Sequence, residues 1–497
     1  MPADEDVEPA HSRSVWRYAR ATRAHVVIDA AAYFELMQDA FLEARQRIFL
    51  IGWDFDSRIR LGRGRRWWNL PRKRNAPARL GAFFIWLVKR REDLEIRLLK
   101  WNFGALKFIF RGSMIIDLTR FLLHRQIDFK FDSAHPLGCS HHQKIVVIDD
   151  RMAVCGGIDM TSDRWDTREH LHEDTRRRRP NRKLYGPWHD VTLMMEGDVA
   201  AALGDLGRSR WETAGGSSLA PCAPQSETPW PERLRAEFTD VEIGIARTRA
   251  QWNGLHEIRE IEELFVEQIR GAKRLIYAES QYFASRCIAE AIAERLTEAE
   301  PPEILLINPE TAEGWLEQAA MDTARARLMH AIEEKDHASR FRMFIPKTSG
   351  GAAIYVHAKL MIVDDEIIRI GSANWNNRSM GLDSECDVFI DARRPGNDHI
   401  VPAITRLRHS LLAEHCGIAD DRIAPLLAEH GSMAAMIDAL PRVGKHLEPF
   451  ALRPLTDAEK AIADGSLLDP ERPGDLFEPI GRKRGLFRRG GILRRPK

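Results

Sequence analysis

An octapeptide that occurs twice constrains this chain more than any other feature. HQKIVVID at 142–149 returns as HAKLMIVD at 357–364, 215 residues later. Both copies place His-x-Lys at the head of a β-branched run that closes on Asp-Asp. A polar residue follows each at one distance, Asp159 seventeen positions after His142 and Asn374 seventeen after His357, behind GG in the first copy and GS in the second. A single His-x-Lys is an ordinary accident of a strand end, but two copies with matching downstream positions imply a duplicated unit of domain size. At 497 residues the chain also exceeds the usual single hydrophobic core, so two domains are expected.

Other repeats agree with duplication. AAYFELMQDAFLEA precedes the apolar run Ile48 to Ile51, and REIEELFVEQIRGA precedes Leu275 to Ala278, each an amphipathic helix followed by a buried strand. Between the halves, 213–237 is rich in Gly, Ser and Pro. The expected organisation is an N-terminal extension at 1–20, a first domain at 21–212, a linker at 213–237, a second domain at 238–420, and a helical extension with a basic tail at 421–497. Further strands are expected at 94–101, 113–118, 191–196, 302–309, 341–346 and 386–391, and helices over AITRLRHSLLAEHCGI and DRIAPLLAEHGSMAAMIDAL. Runs apolar on both faces call for sheets covered on each side. The fold class is therefore α/β, with two similar domains of mixed sheets flanked by helices.

Period-2 alternation puts His142 and Lys144 on one side of their strand and Asp149 on the other, and treats His357, Lys359 and Asp364 alike. The two aspartates are structural motif acids by this reading. Each His/Lys pair is a cationic site with a titratable nucleophile. Small residues downstream permit close approach to a ligand, and Asn374 adds an amide donor near Ser372 and Ser379. Such donors suit a single phosphate if the halves pack about a pseudo-twofold axis.

These residues resemble the phospholipase D superfamily, whose HxKx4D signature stands intact in both octapeptides. IGWDFDSR, GGIDMTSDRWD, GPWHDVTLMMEG, ESQYF, GSANWNNRS and GLDSE resemble the accessory segments of the phospholipase D proper branch. The resemblance runs from about residue 15 to 420. It implies one active site between two α/β domains, in which His142 attacks phosphorus and His357 protonates the departing oxygen. Lys144, Lys359 and Asn374 would hold the phosphate. Glu385 would orient His142 and Asp190 would orient His357, each from the opposite half. Asp159 stands where many members carry Asn; a carboxylate repels phosphate unless protonated or paired, so it is not given the role of Asn374.

This residue set suits phosphodiester chemistry. Neutral imidazole attacks a phosphodiester anion without charge repulsion, and a second, protonated imidazole supplies the leaving alcohol's proton. The lysines stand where divalent ions would otherwise clamp phosphate, so neither metal nor cofactor is expected. The implied activity is hydrolysis of glycerophospholipids to phosphatidic acid and free alcohol through a phosphohistidine, with a primary alcohol or water as acceptor. A cardiolipin-synthase-like phosphatidyltransferase and a phosphodiesterase or nuclease are the alternatives. The Arg-rich segment at 174–188 suits a nucleic-acid groove or anionic headgroups, although the lipid resemblance disfavours nucleic acid as partner. Trp53, Phe55, Trp67, Trp68, Tyr282 and Phe283 are candidates to meet acyl chains.

Composition adds bounds. The 74 basic and 73 acidic residues exclude global charge steering, but residues 482–497 carry eight Lys or Arg and no acid, either a solubilising tail or a membrane-surface contact. Six cysteines without a CxxC pair speak against a zinc site or a stapled fold. No secretory h-region is visible, and no apolar run reaches the roughly 20 residues of a membrane span. A monomer, cytoplasmic or peripheral on a membrane surface, is expected, with export by another route left open.

Overall fold

The computed structural model describes residues 13–62, 76–102, 113–312 and 315–451. In the first half the strands are β1 (Arg17–Ile28), β2 (Arg47–Gly52), β3 (Glu95–Trp101), β4 (Ile127–Asp132), β5 (Ile145–Ile148), β6 (Met152–Gly156), β7 (Trp188–His189) and β8 (Val191–Glu196). The second half supplies β9 (Phe238–Arg249), β10 (Ile258–Arg259), β11 (Leu275–Glu279), β12 (Glu303–Ile307), β13 (Phe341–Lys347), β14 (Tyr355–Val356), β15 (Leu360–Val363), β16 (Ile367–Gly371), β17 (Glu385–Asp391) and β18 (His446–Pro449).

One mixed sheet runs through both halves. Its order is β4-β3-β2-β5-β6-β8-β1 in the first half and β9-β17-β16-β15-β11-β12-β13-β18 in the second, with β1 and β9 antiparallel at the join. Apart from β18, the two lists use their strands in the same sequence, so the duplicated octapeptides occupy equivalent strands, β5 and β15. Neighbours β2, β3 and β4 are parallel, as are β11, β12 and β13, whereas the motif strands are antiparallel to both partners.

Alternation along the strands explains why both faces are covered. On β2, Ile48 and Leu50 pack with Phe34 and Phe41 of the helix Ala30–Glu43 and with Phe83 and Phe84 of the helix Leu80–Val88. Phe49 and Ile51 face the opposite layer, with Leu203 and Trp211 of the helix Asp198–Thr213. That second layer continues across the join to Tyr277, Leu305 and Ile362 and to Leu411 of the helix Val401–Cys416. The two halves therefore share one core.

Several expectations are corrected. Residues 113–118 are not a strand but part of the helix Ser113–Leu122: Met114, Asp117 and Phe121 are buried while Ile115 and Ile116 are exposed, a helical spacing that the short apolar run concealed. β1 begins at Arg17, so the sheet takes in the end of the segment read as an N-terminal extension. Residues 421–451 are not purely helical, because β18 adds an edge strand to β13. The helix expected over 421–440 breaks at Gly431, whose φ of 76° ends Ile423–His430 in a left-handed turn, and Ser432 caps Met433–Ala439 through the Ala435 N–H. Residues 216–237 form no helix or strand, and this segment is tied to the first half, with Arg47 donating to the Ala220 carbonyl and the Cys222 N–H to Asp150. No described helix is long and apolar enough to cross a membrane. The basic residues 482–497 lie outside the described residues.

The motif aspartates have a visible task. Asp149, left-handed at φ 54°, accepts hydrogen bonds from the backbone N–H groups of Arg45, Gln46 and Arg47; Asp364, at φ 57°, accepts from Lys273, Arg274 and Leu275. Each carboxylate thus ties the turn that ends its motif strand to the start of the neighbouring strand. Asp149→Ala strands three backbone donors, and a loss of about 3 kcal/mol or more is expected. Urea unfolding checks this, with the midpoint falling at unchanged m-value.

Candidate active site

The two halves meet through backbone hydrogen bonds at two short junctions beside the motif strands. At one, the His142 N–H donates to the Ser384 carbonyl, one residue before Glu385; at the other, the His357 N–H donates to the His189 carbonyl, one residue before Asp190. The second junction is reinforced by the parallel pair β7 and β14. Each histidine is thereby anchored to the segment of the opposite half that carries its acid.

The side chains complete those crossed pairs. His142 Nδ1 lies 3.0 Å from both Glu385 oxygens, and His357 Nδ1 lies 2.7 Å from Asp190 Oδ2. Glu385 also accepts the hydroxyls of Ser372 and Ser379, so its carboxylate has no freedom to rotate away. With Nδ1 engaged, Nε2 of each ring is left for chemistry. Lys144 donates to the His142 carbonyl at 2.8 Å, and Lys359 donates to the His357 carbonyl and, at 3.2 Å, to Gln281 Oε1. Both ammonium groups curl back beside their own histidines.

The electrostatics tie the four residues into one site. Burial, then Lys144 and Lys359, hold His142 well below the ordinary histidine range. Burial, then Lys359, Arg164, Lys144 and His142, do the same to His357. Burial lowers Lys359 to about 7, raises Asp190 to about 7 and raises Glu385 to about 8. Charges from both halves thus act on each histidine. Titratable groups displaced in this way and gathered in one place mark a functional site.

The remaining positions are less uniform. Asn374 is buried, its N–H donating to Ser379 Oγ at 3.1 Å and its Oδ1 without a hydrogen-bond partner, which puts it one link away from Glu385. Asp159 lies 3.7 Å from the Lys144 ammonium and accepts the Trp53 N–H, and burial raises its pKa. The small residues after the motifs make room for acids rather than for a ligand: a Cβ on Gly157 would lie 2.1 Å from Asp190 Oδ1, and one on Gly371 1.9 Å from Asp387 Oδ1.

Sequence reasoning missed an aromatic wall. Trp188 stacks on Tyr355 at 4.6 Å and lies 5.1 Å from the His357 ring; both adjoin motif residues, in GPWHD and YVHAK, which is the signal that could have found them. Trp53 faces His142 at 6.3 Å. Phe55 and Phe283 are buried core residues, Tyr282 is half-buried, and Trp67 and Trp68 lie outside the described residues. The Arg-rich loop keeps Arg178, Arg182 and Lys183 exposed but pairs several of its other charges. Arg176 pairs with Asp174, the buried Arg177 with Asp166, and Arg179 with Asp163, so much of its charge is spent within the fold.

Behind Asp190 lies a buried polar cluster that the sequence did not suggest. Asp29, His170, His189 and Glu414 bring their ligand atoms within 4.8 Å of one another. His170 Nε2 and His189 Nδ1 each stand 3.0 Å from Glu414 Oε1, while the far nitrogens contact Asp166 and Glu279 at 3.0 and 2.8 Å. Histidines backed by carboxylates are suited to hold a divalent cation. Without one, the surrounding carboxylates raise His170 to about 9 and His189 well above its ordinary range despite burial, so two imidazolium charges can balance the acids. Either state holds the His189–Asp190 segment rigidly behind His357.

Comparison with known proteins finds similar chains among phospholipases D. The family model described as phospholipase D matches residues 285–462. Phospholipase D alpha 1 of Zea mays is 27% identical over 529 residues, covering 77% of this chain and 63% of the maize protein. Phospholipase D1 of Saccharomyces cerevisiae is 26% identical over 382 residues, covering 57% of this chain and 22% of the yeast protein. The chain thus spans less than two thirds of either relative. Among solved structures, the phosphatidylserine synthase of Haemophilus influenzae Rd KW20 superposes with a TM-score of 0.52 at 10% identity, over 86% of this chain and 97% of that one, a likeness of fold.

Proposed function

The chain belongs to the phospholipase D superfamily, and from that premise we propose that it hydrolyses glycerophospholipids at the headgroup side of phosphorus, releasing phosphatidic acid and a free alcohol. The observation that carries this reading is the crossed arrangement of His142 with Glu385 and His357 with Asp190 beside two lysines. In the first step His142 Nε2 forms a bond to phosphorus as the bond to the headgroup oxygen breaks, and that oxygen takes a proton from His357. In the second, His357 removes a proton from water, whose oxygen displaces the imidazole. Lys144, Lys359 and the Asn374 amide stabilise the equatorial oxygens in both steps.

Protonation states favour this order of events. Before substrate binds, burial and the lysines favour the neutral form of both rings, which makes His142 a nucleophile. The negative charge of an arriving phosphodiester offsets the lysines and lets His357 carry the proton that the leaving group needs. None of the steps is routed through a metal. Peripheral contact with a membrane surface and action as a monomer belong to the same proposal.

The test is competition between acceptors. With phosphatidylcholine or phosphatidylglycerol and a rising concentration of a primary alcohol, phosphatidyl-alcohol should appear as phosphatidic acid falls, while total headgroup release stays nearly constant if the second step is not limiting. Headgroup release with no transfer product at any alcohol concentration would overturn the open acceptor site. Turnover confined to nucleic-acid diesters would overturn the lipid reading.

A further inference from the structure

Arg164 lies in the loop after β6 and is 6% exposed. Its Nε is buried without a hydrogen-bond partner, and among the described residues its guanidinium forms no ion pair. It is held instead by lying over Trp188, with Cζ 4.2 Å from the ring centroid, on the residue whose ring is 5.1 Å from His357. Asp159 and Asp190 feel its charge, yet neither forms an ion pair with it, and a buried N–H left without an acceptor is costly unless an anion arrives to accept it.

The groups that feel this charge show where that anion would sit. Arg164 acts on Asp159, Asp190, His357 and Lys359, all members of the site or its immediate support. The two halves also differ in donors. Asn374 offers an amide in the second half, but its counterpart Asp159 is a carboxylate that cannot donate when ionised and draws on the charge of Lys144 at 3.7 Å. The first half therefore lacks the amide donor that Asn374 offers, and Lys144 shares its charge with Asp159. Arg164, five residues beyond Asp159, can supply both a donor and positive charge.

We propose that Arg164 is a third cationic contact for the substrate's phosphoryl group, its planar fork donating to the phosphate oxygens from the Trp188 side and replacing the donor absent at position 159. The proposal rests on the reading of the site as a phosphodiesterase and adds to it a residue outside the duplicated motif. An arginine is required rather than a lysine, because a planar cation can lie on the indole face and still direct two parallel N–H groups at one phosphate.

The test uses the full chain and inorganic phosphate as probe, measured by calorimetry, with bis(p-nitrophenyl) phosphate turnover alongside. Arg164→Gln should weaken phosphate binding at least tenfold, and Arg164→Lys should recover only part of the loss. In the wild-type protein, saturating phosphate should protect Arg164 from phenylglyoxal, read at that residue by peptide mass spectrometry. This measurement decides the matter if the variants fail to fold. Phosphate affinity of Arg164→Gln within twofold of wild type overturns the proposal, as does identical modification of Arg164 with and without phosphate. If wild type binds phosphate and turns over the diester while either of those results holds, only the role of Arg164 falls. A wild-type protein that does neither overturns the phosphodiesterase reading as well.

Discussion

Replacing His142 by alanine should lower kcat/KM for diester hydrolysis on the order of 10⁴-fold, because the proposed mechanism gives the bond to phosphorus to His142 and the lysines supply only charge stabilisation. His357→Ala should be equally damaging toward a lipid, whose alkoxide leaving group needs a proton. Toward a p-nitrophenyl diester, whose leaving group departs unprotonated, its first step should be largely spared. Rapid-quench trapping of the phosphohistidine separates the two: His357→Ala should accumulate the adduct from the activated substrate, and His142→Ala should form none. Adduct formation in His142→Ala would exchange the roles, which the near-symmetry of the two crossed pairs permits.

A second large effect is expected at Glu385, which never touches substrate in the proposed mechanism. Glu385→Gln keeps the shape of the buried side chain but no longer stabilises the Nδ1–H tautomer of His142, and a loss of about 10²- to 10⁴-fold in kcat is expected, with a smaller change in KM. The pH profile distinguishes this from a structural defect. Burial raises Glu385 to about 8, so below that pH the His142–Glu385 pair holds an extra proton and Nε2 is blocked; activity should climb as pH rises toward 8. Lys359, lowered to about 7 by burial, loses its charge over the same range and imposes the falling limb. A narrow bell with its maximum between 7 and 8 is expected for kcat/KM of the wild type, and Glu385→Gln should lose the rising limb. An unchanged profile in the variant would remove Glu385 from the proton inventory of the site.

Much of the active centre is legible in the linear sequence because its chemistry is carried by short segments. His142, Lys144 and Asp149 lie within eight residues, as do His357, Lys359 and Asp364; strand alternation is nevertheless not what separates them, because each His-x-Lys precedes its strand and each Asp sits in the left-handed turn after it. Pairing Glu385 with His142 and Asp190 with His357 required the family resemblance, since neither periodicity nor spacing relates residues 243 or 167 positions apart. Residues 113–118 fit both periods because the run is only six residues long, and the burial of Met114, Asp117 and Phe121 against exposed Ile115 and Ile116 decides for the helix.

What the sequence determined by itself is the duplication, the alternation of helices with doubly buried strands, and the identity of the reactive groups, since these follow from local pattern and intrinsic side-chain chemistry. Tertiary structure alone decided that β1 and β9 fuse the halves into one sheet, that Arg177 is buried against Asp166 while Arg176 and Arg179 pair with Asp174 and Asp163 at the surface, and that Asp29, His170, His189 and Glu414 meet behind Asp190. It alone also left Arg164 buried on Trp188 with its Nε unpartnered among the described residues. The physical reason is common to all of these: burial and charge pairing depend on distances through space between segments far apart in the chain, and an arginine has the same local signature whether its guanidinium ends in solvent, on a carboxylate or over an indole ring.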